Sequence, residues 1–363
     1  MNLVRRSTRW HGIPILIGGA LLAVALNVSA AAAVTPYTLT IYIGGSCIYT
    51  QGPASDTFTL HVRDRVGRLV VNRTGHTNSS GYGDTCMPRS IQLYDHVTLT
   101  NANQTHSLVV PLLTVKVDRV ANVVHGNATP GAHVTVQGYH YPTYSNSTAF
   151  GPVVATAGTS GAWSVDFSGI MDFIGSDYFD NSVTTAAGDV IYRDLDASFM
   201  SVYGSTNYVY GYASSGQPIT IKLSNPSGQP KGIAADVAQP NGFFGGYFLD
   251  AKGAATYPIA GDKVKGMFAT DALLTMPQTS LHGTASNDQI TARCLPHRPF
   301  QAYSYNDSGY SYQFGTTDAS GSLTVDMSSG SYASFNLQAG DYIQVRCKTA
   351  KGDEVELDGK AKP

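Results

Sequence analysis

The chain predicts an all-β protein assembled from four copies of one small sandwich module. Three observations carry this. Beyond residue 33 helical periodicity is nearly absent, and short stretches alternate apolar with polar residues between clusters of Gly, Asn, Ser and Pro. A strand–turn–strand pattern recurs as VVHGNATPGAHVTV from Val123 to Val136, as YVYGYASSGQPITI from Tyr208 to Ile221, and as SLHGTASNDQITA from Ser280 to Ala292, with a worn copy, CIYTQGPASDTFTL, from Cys47 to Leu60. The copies stand roughly 70 to 85 residues apart, too long for a solenoid unit and long enough for a self-contained sandwich.

The first 33 residues read as a secretory leader. Arg5, Arg6 and Arg9 form a positive start, Ile13 to Val28 an apolar stretch, and Ser29 to Ala33 a small-residue cleavage zone. The apolar stretch falls short of the ~20 residues a membrane-spanning helix needs, so cleavage leaves no transmembrane segment. The remainder divides into a divergent module at 34–112 and three better-formed ones at 113–196, 197–277 and 278–363, each expected to fold individually. Removing the leader leaves 20 bases against 25 acids. That balance offers no footprint for nucleic acid and no basic stripe for an anionic membrane. Only 13% of the chain is charged, and polarity comes from Ser, Thr, Asn and 22 tyrosines.

Four cysteines suit an oxidising compartment and allow three pairings. Their distribution favours Cys47 with Cys86 and Cys294 with Cys347. In the last module Ile290, Ala292 and Cys294 share one strand face, as do Ile343, Val345 and Cys347, so alternation points both thiols inward. A bridge closing a loop of about 50 residues contributes roughly 4 kcal/mol in the chain-entropy model.

Two further signatures follow the strand–turn–strand pattern. One is Ser160-Gly-Ala-Trp-Ser-Val-Asp-Phe167, matched by Ser320-Gly-Ser-Leu-Thr-Val-Asp-Met327 and in part by Asn241-Gly-Phe-Phe244; its parity makes Trp163 a core plug. The other is a Gly-Asp turn at Gly261-Asp262 and Gly340-Asp341, with Ser176-Asp177 and Tyr94-Asp95 as variants. Closing hairpins at Gly188-Asp189 and Gly352-Asp353 complete the second and fourth modules. Such steps supply the positive φ that tight turns need, so these aspartates belong to turn chemistry rather than catalysis. The order G-x-A-x-x-G-x-x-V-x-V, then G-x-W-x-V-D, then G-D, resembles tandem bacterial immunoglobulin-like domains of secreted and cell-surface proteins. The match is best in the second module. The first departs, with Thr50 at the motif glycine and no G-x-W element. The resemblance implies small immunoglobulin-like sandwiches in tandem and specifies no ligand.

No G-x-S-x-G elbow or H-E-x-x-H spacing is present. No catalytic residue is therefore assigned, and a hydrolase with an unrecognised site is the third-ranked reading. Asp194-Leu-Asp196, at the second junction, is the sole metal expectation, as a Ca²⁺ pair that would stiffen a linker; no other cofactor is expected. Tyrosines give the strongest functional signal. Tyr139, Tyr141 and Tyr144 fall in one loop-rich stretch, and Tyr303, Tyr305, Tyr310 and Tyr312 in another, interleaved with Ser, Asn and Gly as in adaptable binding loops. The chain is thus expected to be a secreted, non-enzymatic binding or structural protein whose partner is an extracellular protein or glycan. A carbohydrate-binding accessory protein is the alternative.

Overall fold

A computed structural model describes residues 35–307, 309–330 and 335–363. The expected leader lies outside the described residues. Among those described there are strands and two short 3₁₀ turns but no α-helix. The first module holds β1 (Thr38–Tyr42), β2 (Cys47–Gln51), β3 (Thr57–Arg63), β4 (Leu69–His76), β5 (Tyr82–Cys86), β6 (His96–Thr100) and β7 (Thr105–Val109). The second holds β8 (Leu113–Asp118), β9 (Val123–Ala128), β10 (His133–His140), β11 (Thr148–Thr156), β12 (Ala162–Asp166), β13 (Tyr178–Thr184), β14 (Val190–Tyr192) and the two-residue β15 (Leu195–Asp196). The third holds β16 (Phe199–Tyr203), β17 (Tyr208–Tyr212), β18 (Pro218–Ser224), β19 (Pro230–Val237), β20 (Phe243–Tyr247), β21 (Lys263–Gly266) and β22 (Leu273–Thr275). The fourth holds β23 (Ser280–Thr284), β24 (Gln289–Arg293), β25 (Pro299–Asn306), β26 (Gly309–Thr316), β27 (Ser322–Asp326), β28 (Tyr342–Lys348) and β29 (Glu354–Lys360).

Every module uses the same plan: first, second and fifth strands in one layer, third, fourth, sixth and seventh in the other. The result is a tandem array of small, immunoglobulin-like sandwiches. The strand–turn–strand motif is the link that crosses between layers, as β2–β3, β9–β10 and β17–β18. In the fourth module that link is β24–β25, Gln289 to Asn306, not the Ser280–Ala292 stretch the sequence suggested. Ser280–Ala292 is instead the hairpin β23–β24 within one layer.

Close approach of the neighbouring backbone explains the motif glycine, since a Cβ on Gly211 would fall 2.0 Å from the Phe199 carbonyl oxygen. Gly126 lies opposite Trp163 and Gly211 opposite Phe244. A Cβ on Gly126 would fall 1.8 Å from the Thr114 carbonyl oxygen and 3.2 Å from the Trp163 ring. In the first module the pair is reversed, Thr50 opposite Gly83, and in the fourth it is Ala292 opposite Leu323. The equivalent pairs thus carry different side chains at one place in the sandwich. Thr50 and Trp163 are both buried, Trp163 as expected.

The Gly-Asp turn is present four times. The residue before the aspartate has positive φ in each: Tyr94 at 67°, Ser176 at 68°, Gly261 at 87° and Gly340 at 97°. The carboxylate then accepts the backbone N–H three residues earlier, from Gln92, Ile174, Ile259 and Gln338, at 2.7 to 3.0 Å. A side chain from elsewhere in the module closes each turn: Arg89 on Asp95, His140 on Asp177, Lys231 on Asp262 and Asn306 on Asp341. Buried carboxylates need such bonds to offset lost hydration.

The modules are joined in pairs by continuous sheets. β1 of the first module runs parallel to β14 of the second, pairing Thr40 with Val190 and Tyr42 with Tyr192. One sheet therefore runs β11-β10-β13-β14-β1-β2-β5. β16 of the third module meets β29 of the fourth in the same way, giving β20-β17-β16-β29-β28-β25-β26. Two hydrophobic cores follow this division, one from Tyr37 to Ala197 and one from Met200 to Ala361. Both closing hairpins serve these seams. Buried Asp189 accepts the Leu39 N–H of β1 at 2.9 Å and meets His106 at 2.7 Å. Buried Asp353 accepts the Met200 N–H of β16 at 3.0 Å and pairs with Arg119 at 3.0 Å.

The disulfides join Cys47 to Cys86 and Cys294 to Cys347. The first links facing residues of neighbouring strands on an outer face, with Cα atoms 4.0 Å apart. The second lies in the core and ties the two layers of the fourth module together.

The seam generates a test. A chain of residues 34–197 should unfold in one transition, at a higher denaturant midpoint than 34–112 or 113–197 alone, since each of these loses the β1–β14 ladder. Asp189→Ala should cost the 34–197 chain about 3 kcal/mol through the orphaned Leu39 and His106 donors. Equal midpoints for all three chains would contradict the seam's structural role.

Candidate functional site

Alternation along a strand sends every second side chain of the seven-stranded sheet away from its core. On β16 these are Phe199, Ser201 and Tyr203, and on β17 Tyr208, Tyr210 and Tyr212. β29 presents Glu354, Glu356 and Asp358, and β28 presents Tyr342, Gln344, Arg346 and Lys348. Register sets these in rows across the sheet: Tyr247 faces Tyr208, Tyr203 faces Glu356, Arg346 faces Glu356, and Gln301 faces Arg346. Tyr203 and Tyr208 rings lie 5.8 Å apart, and Tyr208 and Tyr247 4.9 Å. The outer face is therefore paved with aromatic rings around a charged centre.

Glu356 is that centre. It is fully buried although it points away from the core. The Tyr210 hydroxyl donates to it at 2.6 Å, Gln344 at 2.5 Å and Ser201 at 3.3 Å, and Arg346 lies 3.3 Å away. Burial and this carboxylate push the Tyr203 and Tyr210 hydroxyls well above their ordinary range. Tyr342 is pushed up to about 12, by burial and then by the Asp358 and Glu356 carboxylates. These hydroxyls stay protonated donors at any physiological pH.

One end of this face is walled by the second module. The loop after β10 brings Tyr141 and Tyr144 against β28, where the Lys348 ammonium donates to the Tyr141 carbonyl at 3.2 Å and to the Ser176 hydroxyl at 2.9 Å. The same ammonium stands 4.9 Å from the Tyr144 ring centre, a cation–π contact. A cleft of 590 Å³ opens between the modules, lined by Asp196, Tyr178, Phe199, Tyr212, Arg346 and Glu354 among others. Burial pushes the Glu354 carboxyl up and the Lys348 ammonium down.

The tyrosines singled out from the sequence are mostly on strands rather than in loops. Tyr139 is on β10, Tyr303 and Tyr305 on β25, and Tyr310 and Tyr312 on β26. Tyr303 faces Tyr312 and Tyr305 faces Tyr310 across the hairpin, with Tyr305 also 5.2 Å from the Tyr342 ring. Tyr139 and Tyr178 repeat that last contact at 6.0 Å in the second module. Only Tyr141 and Tyr144 lie in a loop, and that loop contacts the chain itself. The alternation Tyr-Ser-Tyr, at 303–305 and again at 310–312, is a strand signal that the polar composition obscured.

Asp194 precedes β15, and Asp196, within that strand, lines the cleft. Among the described residues no three His, Cys, Asp or Glu side chains come together to hold a metal ion. Burial pushes both carboxyls up to about 6, with Asp180 adding to Asp194 and Asp194 adding to Asp196. Sequence reasoning missed Arg346, Lys348, Glu354 and Glu356, whose spacing resembles that of an ordinary solvated strand face. Nothing local in the sequence reveals that another module covers them.

No family model matches the chain, and no curated protein matches it. Among solved structures, 90% of the chain aligns with the whole of a tetra-tandem repeat in the extending region of a large adhesion protein, at 12% identity and a TM-score of 0.18. The BSP domain of a biofilm associated protein aligns over 91% of this chain and 96% of its own, at 7% identity and 0.19. An Escherichia coli alpha-2-macroglobulin aligns over 92% of this chain and 30% of its own, at 9% and 0.19. Overlays this loose carry no argument about function.

The two raised carboxyls set a pH dependence. Their pKa in the unfolded chain is about 4, so the folded state holds extra protons between about pH 4 and 6. The stability they contribute is complete below the unfolded value and is lost as pH rises through 6. The melting midpoint should therefore fall between about pH 4 and 6, and the double variant Asp194→Asn, Asp196→Asn should flatten that fall. An unchanged slope in the variant would contradict the assignment.

Proposed function

We propose that the protein works outside the cytoplasm as a non-enzymatic contact protein, in adhesion at a cell surface or as an envelope or matrix scaffold. The observation that carries this is the aromatic outer face of the seven-stranded sheet. Tyr247, Tyr305 and Tyr310 are exposed there while their neighbours are braced by ring contacts and by Glu356. Rigid tyrosines offer large contact area at low entropic cost, with a hydroxyl to orient the partner. Two disulfides fit an oxidising compartment. The histidines that meet carboxylates, His106 with Asp189 and His140 with Asp177, do so within turn scaffolds, which favours a structural role for them over acid–base chemistry.

The test has two arms. Fractionation of the producing cells should find the protein at the surface or in the medium, and recovery in the cytosol would contradict the proposal. The triple variant Tyr247→Ser, Tyr305→Ser, Tyr310→Ser should lower retention of protein-coated beads on those cells about tenfold or more while leaving the melting midpoint within about 3 °C. Unchanged retention would remove the aromatic face from the mechanism.

A further inference from the structure

The cleft between the second module and the second sheet goes beyond a surface-contact role, which needs no concavity. We propose that it binds a neutral sugar unit of an extended glycan.

Four features of the cleft select that chemistry. Its lining carries both signs, with Arg346 and Lys348 beside Asp196 and Glu354. An anionic ligand meets two carboxylates and a cationic one meets two bases, so a neutral ligand avoids both penalties. Its polar wall is built rather than incidental: Lys348 and Glu354 are 3% and 5% exposed. Lys348 is spent holding Tyr141, Ser176 and the Tyr144 ring, so it shapes the wall instead of reaching for a ligand.

Asp196 and Tyr178 add a carboxylate and a phenol to the lining, and a pyranose hydroxyl both donates and accepts, so one sugar ring can meet both kinds of group. Finally, Phe199 and Tyr212 lie nearly parallel, with centroids 5.8 Å apart and planes 27° apart, and form an aromatic wall for the C–H face of a sugar. The volume of 590 Å³ lies within the usual range for small-molecule sites. From Tyr212 the rings of Tyr210, Tyr208 and Tyr247 continue along the face, giving neighbouring sugar units somewhere to lie.

The experiment uses the chain from residue 34 to 363. Malto-, cello-, xylo-, manno- and chito-hexaoses are arrayed with hyaluronan and spermidine as charged controls, and the best binder is measured by calorimetry. At least one neutral hexaose should bind with a Kd below about 1 mM, and Asp196→Asn and Tyr212→Ala should each weaken it about tenfold, the loss expected for one good contact. Tyr178→Phe, which deletes only a hydroxyl, serves if Tyr212→Ala lowers the melting midpoint, and should weaken binding at least threefold. The face variant Tyr305→Ser, Tyr310→Ser should stay within twofold, so failure of the cleft and failure of the contact face are told apart. The proposal is overturned by no neutral binding below about 10 mM, by preference for either charged control, or by affinity indifferent to Asp196→Asn.

Discussion

One buried carboxylate gathers three of the four modules. Asp353 sits in the turn before the last strand of the fourth module, accepts the Met200 N–H of the third, and pairs with Arg119 of the second. Arg119 is itself fully buried, donating also to Asp271 at 2.8 Å and to the Ser198 carbonyl at 2.7 Å. Burial pushes the Asp353 carboxyl up, against the pull of the guanidinium. A buried pair of this kind adds little over an apolar substitute of equal volume. Its removal by halves is severe, because the survivor is an uncompensated charge. The arrangement therefore specifies which surfaces meet more than it adds to stability.

The same logic runs in the first pair of modules with a different cation. Asp189 occupies the position of Asp353, the Leu39 N–H replaces that of Met200, and His106 takes the place of Arg119. His106 belongs to the first module, so that seam is closed within its own pair. At the second seam the cation comes from outside the pair. Arg119 thus converts a local turn device into a joint between the two sheets, and Gly175 completes it, packing so tightly on Gly352 that a Cβ there would clash at 2.2 Å with the Gly175 carbonyl oxygen. Once this joint is made, the loop bearing Tyr141 and Tyr144 lies against β28, and the cleft exists. The candidate site is a consequence of the joint rather than a property of any one module.

What could be read from the sequence is what local chemistry decides. Alternation identified the strands, the Gly-Asp steps identified the turns, and the inward parity of Cys294 and Cys347 matches their burial. The fourth module was set one strand out of register because its true counterpart of Gly126 is Ala292. Ala292 carries a Cβ where the motif of the second and third modules has glycine, and the conspicuous Gly283 stands one strand earlier, so the sequence pattern points to the wrong strand. The seams were illegible for a different reason. Leu39 and Asp189 are 150 residues apart, and Arg119 and Asp353 are 234 apart. Nothing in either neighbourhood marks it as a partner for the other. The tyrosines were recognised as the functional signal, but composition alone does not separate a polar loop from an outward strand face.

The joint is tested most directly by a double-mutant cycle on Arg119→Met and Asp353→Asn, followed by thermal unfolding of the whole chain. The account predicts that each single variant loses about 3 kcal/mol and that the pair is strongly non-additive, with coupling of at least about 2 kcal/mol. It also predicts that the single variants melt in two steps, one for each core. Additive losses with a single unfolding transition in every variant would contradict the claim that this carboxylate joins the modules.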